Sequence, residues 1–131
     1  MYGLDVFMRP GATSENAAQL LKSSDPAPQF AATLIQAFIE RLHVSPITLG
    51  DYGAVACVIH PELFTTEVFD VVVDTSQGPA RGQTICDRRA PFLKSIEPND
   101  LTDSASVRVV LDLDVAAVEQ LWFKTIDKGW L

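Results

Sequence analysis

Apolar residues recur at a step of four from Phe30 through Leu34 and Phe38 to Leu42, which places them on one face of an amphipathic helix. Asp25 is suited to cap that helix, with Pro26 at its first position. Ser45-Pro46 stops it, so the spacing predicts a helix over residues 26–43. Upstream, Thr13-Ser14 caps a shorter helix in which Glu15, Ala17, Ala18, Leu20 and Leu21 take helical spacing. Before it, Tyr2-Gly3-Leu4-Asp5-Val6-Phe7 reads as a strand, broken by Arg9-Pro10-Gly11.

Downstream, Leu49 to Ile59 is apolar nearly all round, the pattern of a helix buried in a domain interior. From Thr65 the period changes to two, with Val68, Asp70, Val72 and Asp74 opposing Phe69, Val71 and Val73. That alternation predicts a strand. Ser76-Gln77-Gly78-Pro79 makes a turn, and Gly82 to Asp87 returns as the second strand of a β-ribbon. Residues 92–104, with Pro98-Asn99-Asp100, read as a polar loop. Ser106 to Leu113 is a further strand, and Asp114 caps a final helix to about Lys128 with Val115, Val118, Leu121, Trp122 and Ile126 as its apolar stripe. No internal repeat, low-complexity tract or linker interrupts the 131 residues.

With 47% apolar residues the chain has a globular composition, and at this size it can bury roughly two-thirds of its unfolded surface. Seventeen acidic against ten basic residues give a net charge of −7. Phosphate contacts need the opposite sign, so nucleic acid is not an expected partner. Nor is a membrane, because no apolar run approaches the roughly 18 residues that span a bilayer. The N-terminus carries no basic segment followed by an apolar one, so export is unsupported and the chain opens as if inside a fold. The two cysteines, Cys57 and Cys86, lack metal or redox spacing and read as buried free thiols in a reducing, cytoplasmic compartment.

Phosphate-binding glycine loops and HExxH or EF-hand patterns are absent from the sequence. His43 and His60 fall at predicted helix ends, where an imidazole meets terminal carbonyls more often than a substrate. Asp112 and Asp114 lie together at a strand end, a common mouth for pockets, yet capping by Asp114 already explains half of that pair. Asp5 has no partner identifiable from sequence. Asp51 is the best candidate: a single carboxylate opening a largely apolar helix calls for a cation or several donors, or else is satisfied by backbone amides.

Gly50-Asp51-Tyr52-Gly53-Ala54-Val55-Ala56, then Pro61-Glu62-Leu63-Phe64-Thr65-Thr66 and Arg81-Gly82-Gln83-Thr84, resembles the C-terminal signature of the inosine-uridine preferring nucleoside hydrolases. In that family a His-Asp-Pro-x-Ala-Val-Ala helix precedes a Pro-Glu-Leu-Phe turn, a β-ribbon and an Arg-Gly-Gln-Thr strand. Met1-Tyr2-Gly3-Leu4-Asp5-Val6 also looks like the family's Met-x-Gly-Leu-Asp-Val strand. By this resemblance Asp51 corresponds to a carboxylate ligand of a bound calcium ion. The ion orients the nucleophilic water and the ribose hydroxyls, and an aspartate serves as base. No catalytic residue is assigned within these 131 residues. The family's Asp-x-Asp-x-x-x-Asp-Asp cluster and its Glu-Phe-Asn ribose motif would both lie before Met1, which points to a truncated gene, an internal start or a fragment of a split enzyme.

Two local features complete the implied site. The histidine that assists the leaving base in many members is Gly50 here, and Asp51-Tyr52 replaces Asp-Pro. Tyr52 is a candidate hydroxyl donor, weighed against simple packing. On the long helix, Phe38 and Arg41, with Leu42, occupy the place where the family presents side chains to the nucleobase. The expectation is therefore an α/β fold: a partial nucleoside-hydrolase-like, Rossmann-like layered domain comprising one edge of a mainly parallel sheet, helices, a β-ribbon and a C-terminal helix. A nucleoside is its expected ligand. Apolar surface left uncovered implies self-association or a missing N-terminal half. The competing expectation is a non-catalytic interaction module.

Overall fold

The computed structural model describes residues 1–96 and 104–128. Its elements run α1 (Leu4–Phe7), β1 (Gly11–Ala12), α2 (Ser14–Leu20), α3 (Pro26–Leu42), β2 (Ile47–Thr48), α4 (Asp51–Ile59), a 3-10 turn (Pro61–Leu63), β3 (Phe64–Val73), β4 (Thr84–Asp87), α5 (Pro91–Ile96), β5 (Ala105–Leu113) and α6 (Val115–Ile126). They fall into two compact units. One joins Tyr2–Thr65 to the chain from Val110 onward, and the other holds Met1 and Thr66–Val109.

In the first unit the capping signals act as their chemistry requires. Thr13 Oγ1 accepts from the Asn16 amide at 3.3 Å while Asn16 Oδ1 accepts from the Thr13 amide at 2.8 Å, a reciprocal box that fixes the start of α2. Asp25 accepts from the Ala27 amide and Asp114 from the Ala117 amide, each at 3.0 Å, to start α3 and α6. α3 ends at His43, which takes the left-handed conformation at φ 54°.

Two hydrophobic clusters make this unit's core. Val6, Ala56, Phe64, Val110, Leu113 and Val118 form one, with Tyr2, Tyr52 and Leu63 against it. Ala12, Ala17, Leu20, Ala32, Ile35 and Phe123 form the other, packed by Ala31, Ile39 and Trp122. The expected C-terminal stripe contributes to both, but its most buried aromatic is Phe123, edge-on to Trp122 at 4.9 Å between ring centroids.

Several expectations are corrected here. The segment Tyr2–Phe7 is not a strand: Phe7 N–H bonds the Gly3 carbonyl at 2.9 Å and Met8 N–H the Leu4 carbonyl at 3.2 Å, closing one helical turn. That turn drives Val6 into the core, which a strand would have shared with alternate neighbours. On α3 the four-step stripe is outside, with Phe30 66% exposed and Leu34, Phe38 and Leu42 also exposed, whereas Pro28, Ala32 and Ile35 are inside. Small residues allow α2 to approach closely, so that face wins the packing. α4 is not buried all round either: only Gly53 and Ala56 are buried, and Val58 is 80% exposed.

The second unit is built on the ribbon. β3 and β4 pair antiparallel with Asp70 opposite Asp87 and Val73 opposite Thr84, and the strand order is β4-β3-β5. Part of the expected polar loop is the helix α5, which starts at Pro91, a residue preorganised for a first helical turn. Pro98-Asn99-Asp100 lies outside the described residues. The two pairings with a described register, β1 with β2 and β3 with β4, are antiparallel, so the expected parallel edge is not among them. A short connection joins β3 to β4, as antiparallel pairing permits, whereas β1 and β2 pair across the intervening α2 and α3.

Candidate functional site

The start of α4 is held by its neighbours in the first unit. Leu49 N–H donates to the Pro10 carbonyl at 2.9 Å, β1 pairs with β2 through Gly11 opposite Thr48, and Tyr52 and Gly53 amides return to Leu49 and Gly50 carbonyls. Gly50 caps the helix at φ 28°, ψ −106°, a backbone that a side chain would strain. The Phe7 ring lies over it. A Cβ built on Gly50 would meet the ring, with Phe7 Cε2 at 2.8 Å. The space that a side chain at position 50 would need is therefore filled by an aromatic ring from α1.

Asp51, the first residue of α4, is exposed and accepts no hydrogen bond from the described residues. Its neighbour Tyr52 faces the other way, into the cluster that includes Val118 and Leu121. The Tyr52 hydroxyl is enclosed and has no partner at hydrogen-bonding geometry. Burial pushes its pKa up, and the nearby Thr125 hydroxyl, which itself donates to the Leu121 carbonyl at 2.7 Å, offsets part of that rise. The Thr125 proton is committed to the Leu121 carbonyl, so Thr125 does not donate to the enclosed oxygen.

An apolar groove of about 530 Å³ runs beside β2, lined by Met8, Phe38, Leu42, Val44, Pro46, Ile47 and Thr48. Phe38 thus reaches a concave surface, whereas Arg41 is exposed on α3 and does not line it. Thr48 Oγ1 contacts Met8 Sδ at 3.8 Å along one wall. Sequence reasoning missed Phe7 and Met8 because it read their segment as a strand. The absence of a side chain at Gly50 was the one available sign that another group fills that space.

The remaining carboxylates have structural partners or lie apart. Asp112 pairs with Arg9 at 2.6 Å, which holds its carboxyl below the usual range. Asp114 is a helix cap, and His60 pairs with Glu62 at 3.0 Å. Asp5 is exposed on α1. Among the described residues no group of three or more His, Cys, Asp or Glu side chains is arranged to hold a metal. A calcium ion takes about six to eight oxygens, so the described residues alone do not fit one. The two cysteines are free and half-buried.

The family model for inosine-uridine preferring nucleoside hydrolases matches residues 1–120. The chain belongs to that family. Its fold agrees with a plant nucleoside hydrolase at TM-score 0.77 and 20% identity, over 95% of this chain and 39% of that one. A purine-preferring ribonucleoside hydrolase from Gardnerella vaginalis is similar at TM-score 0.71 and 27% identity, over 96% and 38%. An inosine-guanosine nucleoside hydrolase matches at TM-score 0.73 and 17% identity, over 94% and 37%. The chain therefore spans under two-fifths of the length of these nucleoside hydrolases. No curated protein matches it. Among the described residues no helix is long and apolar enough to cross a membrane.

Proposed function

We propose that this chain supplies the C-terminal part of an enzyme that hydrolyses the N-glycosidic bond of purine or pyrimidine nucleosides. The family match over residues 1–120 carries the reading. Asp51, exposed and unpartnered at the start of α4, is suited to give one carboxylate to a calcium ion that needs several further oxygen ligands. Such an ion would orient water and ribose hydroxyls in the assembled site. Phe38 offers an apolar wall to the base, and Arg41 is an exposed charge on the same helix. Tyr52, with its hydroxyl enclosed, contributes packing that fixes the first turn of α4. With Gly50 beneath Phe7, no side chain at that position protonates the leaving base. The half-buried free thiols support a reducing, cytoplasmic setting.

The 131-residue chain by itself is expected to be inactive, because among the described residues no carboxylate cluster accompanies Asp51 to supply a general base and further metal ligands. The purified chain is incubated with inosine or uridine and millimolar calcium, and ribose release is followed. No release is expected. Turnover that Asp51→Ala abolishes would overturn the account of the missing groups. The exposed stripe of α3 favours one other reading, a non-catalytic interaction module. It requires a defined oligomer and a melting temperature indifferent to calcium.

A further inference from the structure

Pro28, Ala32 and Ile35 make the core side of α3, which leaves Phe30, Leu34, Phe38 and Leu42 outside at 66%, 43%, 49% and 55% exposure. These four form one ridge of i+4 steps, and two such ridges interdigitate when helices pack. At its C-terminal end the ridge runs into the apolar groove of about 530 Å³ walled by Phe38, Leu42, Met8, Val44, Pro46 and Ile47. Its N-terminal end carries the exposed ring of Phe30. A knob at one end and a hole at the other make the surface self-complementary, because a two-fold axis at the middle of the helix sets each knob over the other copy's hole. The spacing agrees, since Phe30 and Leu42 stand about 9 Å to either side of Gln36 along the helix.

Area separates this face from the other apolar one. With Met8 and Val44, exposed at 59% and 47%, the ridge offers roughly 600 Å² of apolar surface, against about 800 Å² per copy in a standard interface. The patch of Val55, Val58 and Ile59 on α4 offers roughly 300 Å², too little for a stable dimer. It also borders none of the described cavities. Charge permits the pairing although each copy carries a net −7, because Glu40 and Arg41 are the only charged residues of α3. About a common midpoint the two Arg41 residues lie about 15 Å apart along the axis, beyond the roughly 8 Å over which charges stay coupled in salt. We infer that the Phe30-Leu34-Phe38-Leu42 ridge of α3 is a two-fold pairing surface for a second copy of this chain, with Phe30 of each copy seated in the groove of the other. The inference deepens the interaction-module reading, since pairing covers Phe38 and removes it as a wall for a base.

Sedimentation of the full chain over a range of concentrations tests the pairing. A monomer-dimer equilibrium is expected, with a melting temperature that rises with chain concentration. Phe30→Glu removes the knob and Val44→Glu charges the groove wall, and each should weaken the dimer by about tenfold or more. Both side chains are exposed in the single chain, so its helical circular dichroism should be retained in both variants. Mixing Phe30→Glu with Val44→Lys should restore a dimer, because one junction is then unaltered and the other brings opposite charges together. A chain that stays monomeric, a dimer indifferent to both substitutions, or one that only Val58→Glu dissolves would each overturn the inference. Ribose release from inosine, followed in the same samples, reports on the hydrolase reading alone, so failure of the pairing and failure of that reading are told apart.

Discussion

The ring of Phe7 occupies the volume that any side chain at Gly50 would need, with Phe7 Cε2 2.8 Å from the ideal Cβ position. The two residues are locked to one another, since the ring can settle there only over a glycine. Gly50 is also held at φ 28°, where a Cβ is disfavoured even in open space. Gly50→Ala is expected to destabilise the chain by about 1–3 kcal/mol, the usual range for overpacking. In the Phe7→Ala background the same change should cost less, giving a favourable coupling of about 1 kcal/mol in a double-mutant cycle. Equal costs in the two backgrounds, measured by urea unfolding, would show that the ring is not what excludes the side chain.

Tyr52→Phe removes an enclosed oxygen that lacks a partner. Stability should be unchanged or rise by up to about 1 kcal/mol, because no hydrogen bond is lost and a polar atom is no longer held out of water. A drop in melting temperature of several degrees would reveal a bond to Thr125 in solution.

The ribbon register sets Asp70 opposite Asp87, two like charges across a strand pair. Lys94 on α5 resolves the conflict, at 3.0 Å from Asp70 and 3.6 Å from Asp87, while Arg89 pairs with Asp87 at 2.9 Å. The Arg89 hydrogen bond chiefly, aided by charge from Arg89 and Lys94, holds the Asp87 carboxyl well below its ordinary value of 3.8. A depressed folded pKa adds stability that is complete above the unfolded value and is lost as pH falls toward the folded one. Melting temperature should therefore decline as pH drops below about 4, and Asp87→Asn should flatten that decline. An unaltered slope in the variant would assign the acid sensitivity elsewhere.

Asp114→Ala is expected to cost about 0.5–2 kcal/mol through loss of the cap on α6. Asp51→Ala, at the exposed start of α4, should stay within about 0.5 kcal/mol. Chemical denaturation of both variants checks the contrast. A larger loss at Asp51 than at Asp114 would mean that Asp51 has a structural duty in the isolated chain.

Local chemistry was legible wherever it is self-contained. Asp25-Pro26, Thr13-Ser14 and Asp114 announced helix starts because a cap needs only its own next few amides. The alternation around Val71 announced β3 for a similar reason, since period two is written along one strand. What stayed hidden depended on neighbours. Phe30, Leu34, Phe38 and Leu42 share a helix face, but which face of α3 is buried was decided by the small residues that let α2 and α6 come close. Tyr2–Phe7 has strand-like composition, and only the turn closed on Gly3 shows otherwise. Asp51 stood out in sequence only as a lone carboxylate opening an apolar helix, while the Phe7 ring over Gly50 required the three-dimensional path of α1.

Both hydrophobic clusters lie in the unit formed by Tyr2–Thr65 and the chain from Val110 onward, and the ribbon unit has only Phe69, Val71 and Val109 as buried apolar side chains among its described residues. Deuterium uptake should consequently be uneven. Amides of β4 should label early through local fraying, while those around Ala56 and Val118 should wait for global unfolding.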